Sequence, residues 1–411
     1  MNKEINPVEN IEFLIQKYFA QKVLIKDKTI TNNCIGALVA ENNYDDFKRN
    51  FEERLQRLSL KFTDSEQRKE IVEKIKNLAE TTGRKWSGAY SELVALDYFL
   101  NSDYIINPKF INKFSVSEYP DCLAAKNNKQ TIDIDFSFEL KCKKFYTDIK
   151  SLIPTQIEVL DSIIDNVIKQ TDKTILIGLD ELEPESLIDF QSVIENEKKN
   201  IEQELLKNVI QSKTQAKYIT SKGFEYKFNI SFNSFLSTMH TKNPYELAKF
   251  DKYKYLNYYN KLLDKEYSFL TFVINSWFNE QINDFCEFNK IYYRSVCRRV
   301  FMEFINNFTP AVKYFKDIKN ESITLSNISK SIAGILFIED KSITYNSKKV
   351  SSSNYMEITG DFTKNLYESY LYLNPNYANK KALSIYDFSS VFEGSELTKM
   401  VYIDDFQDDN Y

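Results

Sequence analysis

In the stretch 130–145, QTIDIDFSFELKCKKF, polar and apolar positions alternate without a break from Thr131 to Lys143. Thr131, Asp133, Asp135, Ser137, Glu139, Lys141 and Lys143 share one parity; Ile132, Ile134, Phe136, Phe138, Leu140 and Cys142 share the other. A period of two predicts a strand with one buried face. Upstream, apolar residues recur at helical spacing in EFLIQKYFAQKVL, YDDFKRNFEERLQRLSL and SEQRKEIVEKIKNLAE, the last capped by Thr63, Asp64 or Ser65. TGRKWSGAYSELVALDYFL predicts a fourth helix ending near residue 100. A first strand region at 113–124 and a turn at 126–129 precede the alternating strand. After it, a helix from Pro154 carries Ile157, Leu160, Ile163, Ile164, Val167 and Ile168 on one stripe and leads to a buried strand, TILIGL, at 174–179.

The order helix, hairpin, helix, strand describes a compact α/β core at 81–185, preceded by a helical region at 1–80. Residues 186–320 read as a large helical addition that binds nucleic acid or a partner. It includes a charged segment, ENEKKNIEQELLKNV, expected to be a solvated insertion helix, and an aromatic block around YSFLTFVINSWF. Strand character returns at SIAGILFIEDKSI and ALSIYDF in a C-terminal α/β region, 321–411, that either completes the first sheet or stands apart.

Composition narrows the chemistry. The 411 residues exceed one ordinary core at about 150 residues per domain. Net charge is −5, so a polyanion must meet a local basic patch rather than a global attraction. The one histidine, His240, excludes zinc sites built on paired histidines, and no nucleophile motif accompanies it. Gly83 and Gly88 have the spacing of a phosphate-binding loop, but Ala89-Tyr90 follow where a lysine and a hydroxyl residue are required. Five cysteines without a CxxC pair read as free thiols of a reducing cytoplasm. No run of residues approaches a membrane span, and no leader is expected.

Three carboxylates on the polar parity of the alternating strand need an explanation that ordinary solvation does not supply. Glu139 and Lys141 are expected about 6–7 Å apart on one side of a strand, so that a carboxylate holds a cation while an ammonium reaches its water. The second ligand is expected from a neighbouring strand: Asp121, placed opposite Glu139 in an antiparallel hairpin, or else Asp133 or Asp135. Glu92 has Gly88, Ala89, Ala95 and Leu96 as its helical neighbours, a small apolar surface on which a carboxylate needs a compensating cation or donors.

Glu92, Pro120-Asp121 and Glu139-Leu140-Lys141, in this order, resemble the PD-(D/E)xK nuclease superfamily, the restriction-endonuclease-like fold. The resemblance covers roughly residues 81–180 and implies a metal-dependent endonuclease. It implies that Asp121, Glu139 and the Leu140 carbonyl ligate Mg²⁺ or Mn²⁺, that Lys141 positions or deprotonates the attacking water, and that Glu92 completes the outer shell. It further implies DNA rather than RNA as substrate and a setting of bacterial restriction or anti-phage defence. The rival expectations are a non-catalytic nucleic-acid- or partner-binding subunit of a multi-protein defence complex, and an RNase. Phosphate contacts are expected from Lys143 and Lys144 and from Arg294 and Arg298, one helical turn apart in IYYRSVCRRVF with Tyr293 nearby for stacking. The oligomeric state is open.

Overall fold

The computed structural model describes residues 11–24, 35, 45–63, 65–80, 85–100, 104–107, 130–133, 136–140, 143–152, 163–164, 166–171, 175–179, 187–221, 225–232, 244–263, 268–275, 288–315, 318–342, 366–378, 397 and 399–401. Four helices come first: α1 (Ile11–Phe19), α2 (Asp45–Lys61), α3 (Ser65–Glu80) and α4 (Lys85–Leu100). Four strands follow, β1 (Tyr104–Asn107), β2 (Gln130–Asp133), β3 (Phe136–Leu140) and β4 (Lys143–Ser151). The middle of the chain supplies β5 (Ile175–Leu179), α5 (Leu187–Ile210), β6 (Gln215–Ile219), β7 (Glu225–Phe232), α6 (Pro244–Tyr258), β8 (Ser268–Ile274) and α7 (Phe288–Arg298). The last elements are α8 (Leu325–Ser331), β9 (Ile332–Asp340), β10 (Tyr367–Leu373) and β11 (Lys399–Val401). The protein is mixed α/β. Two compact units divide it, one of Met1–Leu152, Lys261–Phe285 and Lys330–Asn410, the other of Ile153–Asn260 and Cys286–Ser329.

The first unit is built on an eight-stranded mixed sheet in the order β1-β2-β3-β4-β8-β9-β10-β11. β2, β3 and β4 form an antiparallel meander, and β8 and β9 then extend β4 in parallel. Parallel neighbours need a long crossover, supplied by the chain between Ser151 and Ser268. Strand parity sorts the faces. Ile149, Phe269, Val273, Leu336, Ile338, Leu371 and Leu373 join one hydrophobic core with the apolar stripes of the four N-terminal helices, among them Leu14, Phe51, Leu55 and Ile75. The opposite parity carries a run of rings, with Phe272 stacked on Phe337 at 5.8 Å and Phe337 edge-on to Tyr372 at 5.9 Å. β8 and β9 are buried at every residue, which explains why their sequences are mostly apolar rather than alternating.

Several expectations change here. The alternation over 130–145 is not one strand: β2 and β3 pair antiparallel with Thr131 opposite Glu139, and β4 begins at Lys143 opposite Leu140. A period of two is the same on both arms of a hairpin, so alternation alone does not reveal the reversal. TILIGL is a strand, but β5 joins a separate three-stranded sheet, and the strand that follows the meander in its own sheet is β8. YSFLTFVINSWF, grouped with the helical region, contains β8; buried on both faces, it shows no alternation to mark it. SIAGILFIEDKSI forms β9, deep in the first sheet between β8 and β10. The expected strand at 113–124 and turn at 126–129, and ALSIYDF, lie outside the described residues.

In the second unit, β5, β7 and β6 form an antiparallel sheet in that order. Ile201, Leu205 and Val209 of α5 pack on it with Tyr226, Phe228 and Ile230, joined by Ile163 and Val167 of the expected 154–168 helix. The charged segment within α5 is thus one-sided, docked by its apolar stripe. Among the described residues no helix is long and apolar enough to cross a membrane.

Candidate functional site

α4 is buried on almost every side, its apolar residues spread around the helix rather than along one stripe, and Glu92 is an exception at its surface. The small apolar surroundings expected of Glu92 are present, with Ala89, Ala95 and Leu96 buried. Its compensating cation is Lys74 of α3: the ammonium donates to Glu92 Oε2 at 2.7 Å, with the Lys74 side chain 0% and that of Glu92 20% exposed. A lysine thus supplies the compensating cation that this carboxylate needs.

The meander sets the backbone positions of the remaining motif. Glu139 on β3 has Thr131 on one side and Lys144 on the other, and Leu140 faces Lys143. Both lateral neighbours of Glu139 are therefore taken, which corrects the expected hairpin of Asp121 against Glu139. Asp133 lies two residues from Thr131 on β2, a diagonal position about 7 Å in Cα terms from Glu139. Of the three alternatives for a second ligand, the register brings Asp133 near; Asp121, Asp135 and Lys141 lie outside the described residues. Asp133 in turn faces Asn107 of β1. The backbone register thus makes Glu139 and Asp133 diagonal neighbours across β2 and β3. Among the described residues no three His, Cys, Asp or Glu side chains converge as a metal cluster.

β4 holds a second acidic-x-lysine unit that the sequence reading passed over, Asp148-Ile149-Lys150. Ile149 enters the helix-covered core, so Asp148 and Lys150 share the other face. Lys150 Nζ lies 2.8 Å from Asp148 Oδ2; the carboxylate is fully buried and the lysine 23% exposed. The readable signal was a carboxylate and an amine two residues apart on one strand.

A larger buried network was also missed. Arg54 of α2 donates from Nη2 to Asp340 Oδ1 at 3.0 Å, from Nη1 to Tyr90 at 2.8 Å and from Nε to Asp97 Oδ2 at 3.3 Å. Arg57 closes a fork on Asp97, donating from Nε at 2.8 Å and Nη2 at 2.7 Å. Tyr90 donates to Asp340 at 2.6 Å, Tyr367 donates to Asp97, and Ser342 donates to Asp340. Two guanidinium groups thus balance two carboxylates across α2, α4, β9 and β10. Burial alone would lower the Arg54 pKa, but Tyr367, Tyr90, Asp340 and Asp97 outweigh it and hold the guanidinium well above its usual value. Burial pushes the hydroxyls of Tyr90 and Tyr367 well up. Only Arg57 reaches solvent, so the network fixes helices to sheet rather than meeting a substrate. Arg54 sits in line with Phe47, Phe51 and Leu58 on the apolar stripe of α2, and Asp97 with Tyr90 and Val94 on α4; a charge in such a stripe announces a buried partner.

In the second unit, α7 places Arg294 and Arg298 one turn apart, both half-buried. Tyr293 is buried edge-on to Tyr292, which corrects the expectation that it stacks with a base. Arg299 opens a π-helical turn, Arg299–Glu303, and donates to Glu303 at 2.6 Å, while Lys252 of α6 meets the same carboxylate at 2.7 Å. Between α6 and α7, the buried Tyr292 donates to Asp251 at 2.6 Å, and burial raises the Asp251 pKa against the pull of Lys254 and that hydrogen bond.

No family model, curated protein or solved structure matches the chain.

Proposed function

We propose that the protein is a metal-dependent nuclease of the restriction-endonuclease-like kind, hydrolysing phosphodiester bonds, with DNA as its substrate, in the reducing cytoplasm of a bacterium and in the service of restriction or anti-phage defence. The observation that carries this reading is the register of the meander. β3 holds Glu139 between Thr131 and Lys144 with Asp133 on the diagonal, downstream of the helix bearing Glu92 and beside a strand, β4, that β8 continues in parallel.

In this reading Glu139 and Asp133, or Asp121 in its place, would hold the cation together with the Leu140 carbonyl, and Mg²⁺ or Mn²⁺ there would supply polarisation of the scissile phosphate and a more acidic water. Lys141 orients that water and steadies the negative charge building on the phosphorus centre. Lys143 and Lys144 open β4 and meet flanking phosphates. Glu92 supports the site through α4, its charge already matched by Lys74.

The direct test is a panel of linear and supercoiled DNA and of RNA, incubated with the full chain in Mg²⁺ or Mn²⁺ and in EDTA. Metal-dependent cleavage of DNA supports the reading, and cleavage of RNA alone makes the protein an RNase. A second reading, a non-catalytic binding subunit of a defence complex, is favoured by the Lys74–Glu92 pair, which commits one of the motif carboxylates to a structural partner. Binding without cleavage of any substrate is its signature.

A further inference from the structure

Phe308 is 69% exposed on the segment that follows the π-helical turn. One exposed apolar residue is ordinary on any surface. Phe308 is different because its loop is tied down on both sides. Ser326 donates to the Asn307 carbonyl at 2.9 Å and to the Ile305 carbonyl at 2.6 Å, and the Leu325 amide donates to the Thr309 carbonyl at 3.1 Å. Asn307 Oδ1 accepts from the Thr309 amide at 3.1 Å, and the Ala311 amide donates to Ile323 at 2.7 Å. Beneath this loop Tyr253 lies edge-on to Phe304 at 5.2 Å and flat on Tyr314 at 5.2 Å. The hydrogen-bonded backbone holds this ring out in solvent, so little loop ordering is left to be lost when a ligand binds it.

The surroundings say what it is presented to. Phe308 lines a shallow depression with Asn306, Asn307, Lys313 and Glu303. Glu303 is already held by Lys252 and Arg299, and Lys313 lines the same depression, so cations outnumber the one lining carboxylate in a chain whose net charge is −5. Local positive charge, amides able to meet base edges and a rigid exposed ring are the parts of a stacking site for an unpaired base with its phosphates.

We propose that Phe308 is the stacking platform of a single-stranded nucleic-acid binding site in the second unit, with Lys313 meeting a phosphate and Asn306 and Asn307 meeting the base. The choice of ligand rests on the nuclease reading, but the site does not involve Glu139 or Lys141. The test is the affinity of the full chain for fluorescent thirty-residue oligo-dT and oligo-rU, followed by anisotropy in EDTA so that cleavage plays no part. Expected is measurable binding to the single strand that a duplex of equal length competes for poorly. Phe308→Ala should weaken it about ten-fold and Phe308→Trp should keep it, while Lys313→Glu should weaken it and flatten its salt dependence. Phe308 is exposed, so these variants should melt like wild type. No binding by wild type, equal affinity for duplex and single strand, or full affinity in Phe308→Ala overturns the proposal. Metal-dependent cleavage alongside full affinity in Phe308→Ala would overturn this site and leave the nuclease reading standing. Loss of affinity in Phe308→Ala by a protein that cleaves nothing would support this site and remove the nuclease reading.

Discussion

The ammonium of Lys74 lies 2.7 Å from the carboxylate of Glu92, and the lysine, not the glutamate, is the member shut away from solvent. Removing the carboxylate therefore strands a buried positive charge, whereas removing both charges strands none. Glu92→Ala should destabilise the protein by about 2 kcal/mol, below the 3–5 kcal/mol typical of fully buried pairs because Glu92 is partly hydrated. The double variant Lys74→Met with Glu92→Leu should recover most of that loss. Urea denaturation of Glu92→Ala checks the first point, and wild type, Lys74→Met, Glu92→Leu and their double variant form the double-mutant cycle from which the coupling is read.

Arg54 is the hub of the network linking α2 and α4 to β9 and β10, and its loss leaves Asp97 and Asp340 buried with too little positive charge. Arg54→Met should cost about 3–5 kcal/mol. Arg54→Lys should recover little, since one ammonium does not reproduce a planar fork that serves Asp97, Tyr90 and Asp340 at once. Thermal melts of the two variants decide the point.

Burial raises the pKa of Tyr90 and Tyr367 above the ordinary tyrosine value near 10. The unfolded chain then releases these protons at a lower pH than the folded chain. Their contribution to stability is complete below about pH 10 and is lost as pH rises from there towards the folded values. Stability measured between pH 9 and 11 should fall, and Tyr90→Phe should make the fall shallower. A slope unchanged by that substitution would remove Tyr90 from the explanation.

Gly334 of β9 has no room for a side chain. An added Cβ would lie 2.9 Å from the Tyr372 backbone oxygen, an atom that β10 holds in place. Gly334→Ala should lower stability by about 1–3 kcal/mol, seen as a lower urea midpoint with an unchanged slope.

Asp148 and Lys150 form the only acidic-x-lysine unit whose side chains the described residues include on the meander, and the carboxylate is the buried member. Lys150→Met should destabilise by about 3 kcal/mol, and Lys150→Met with Asp148→Leu should be close to neutral. If Asp148 instead serves the reaction, Asp148→Asn should remove cleavage while leaving the melting temperature near wild type.

How much of this was legible follows the physics of each element. The first helices were readable because each carries an apolar stripe at helical spacing, as Leu14, Ile15 and Phe19 do on α1. Strand identity was readable where one face is apolar, as in residues 130–140, but sheet membership was not. Nothing local in TILIGL says that it pairs with β7, and nothing local in residues 268–274 says that they lie between β4 and β9. The surroundings of Glu92 were readable from i±3 and i±4 neighbours, whereas its cation comes from another helix. Asp133 could be weighed as a ligand but not preferred over Asp121, because register depends on where the chain reverses. Arg54 and Asp97 were visible as charges in apolar stripes; their convergence on Asp340 spans most of the chain.

The most direct test of the nuclease assignment is cleavage by full-length Glu139→Ala, Lys141→Ala and Asp133→Ala compared with wild type, each first shown to melt at the wild-type temperature. The expected result is Mg²⁺- or Mn²⁺-dependent cleavage by wild type, reduced at least about 100-fold in Glu139→Ala and Lys141→Ala. Undiminished cleavage by those two folded variants, or none by wild type on any substrate, would contradict it.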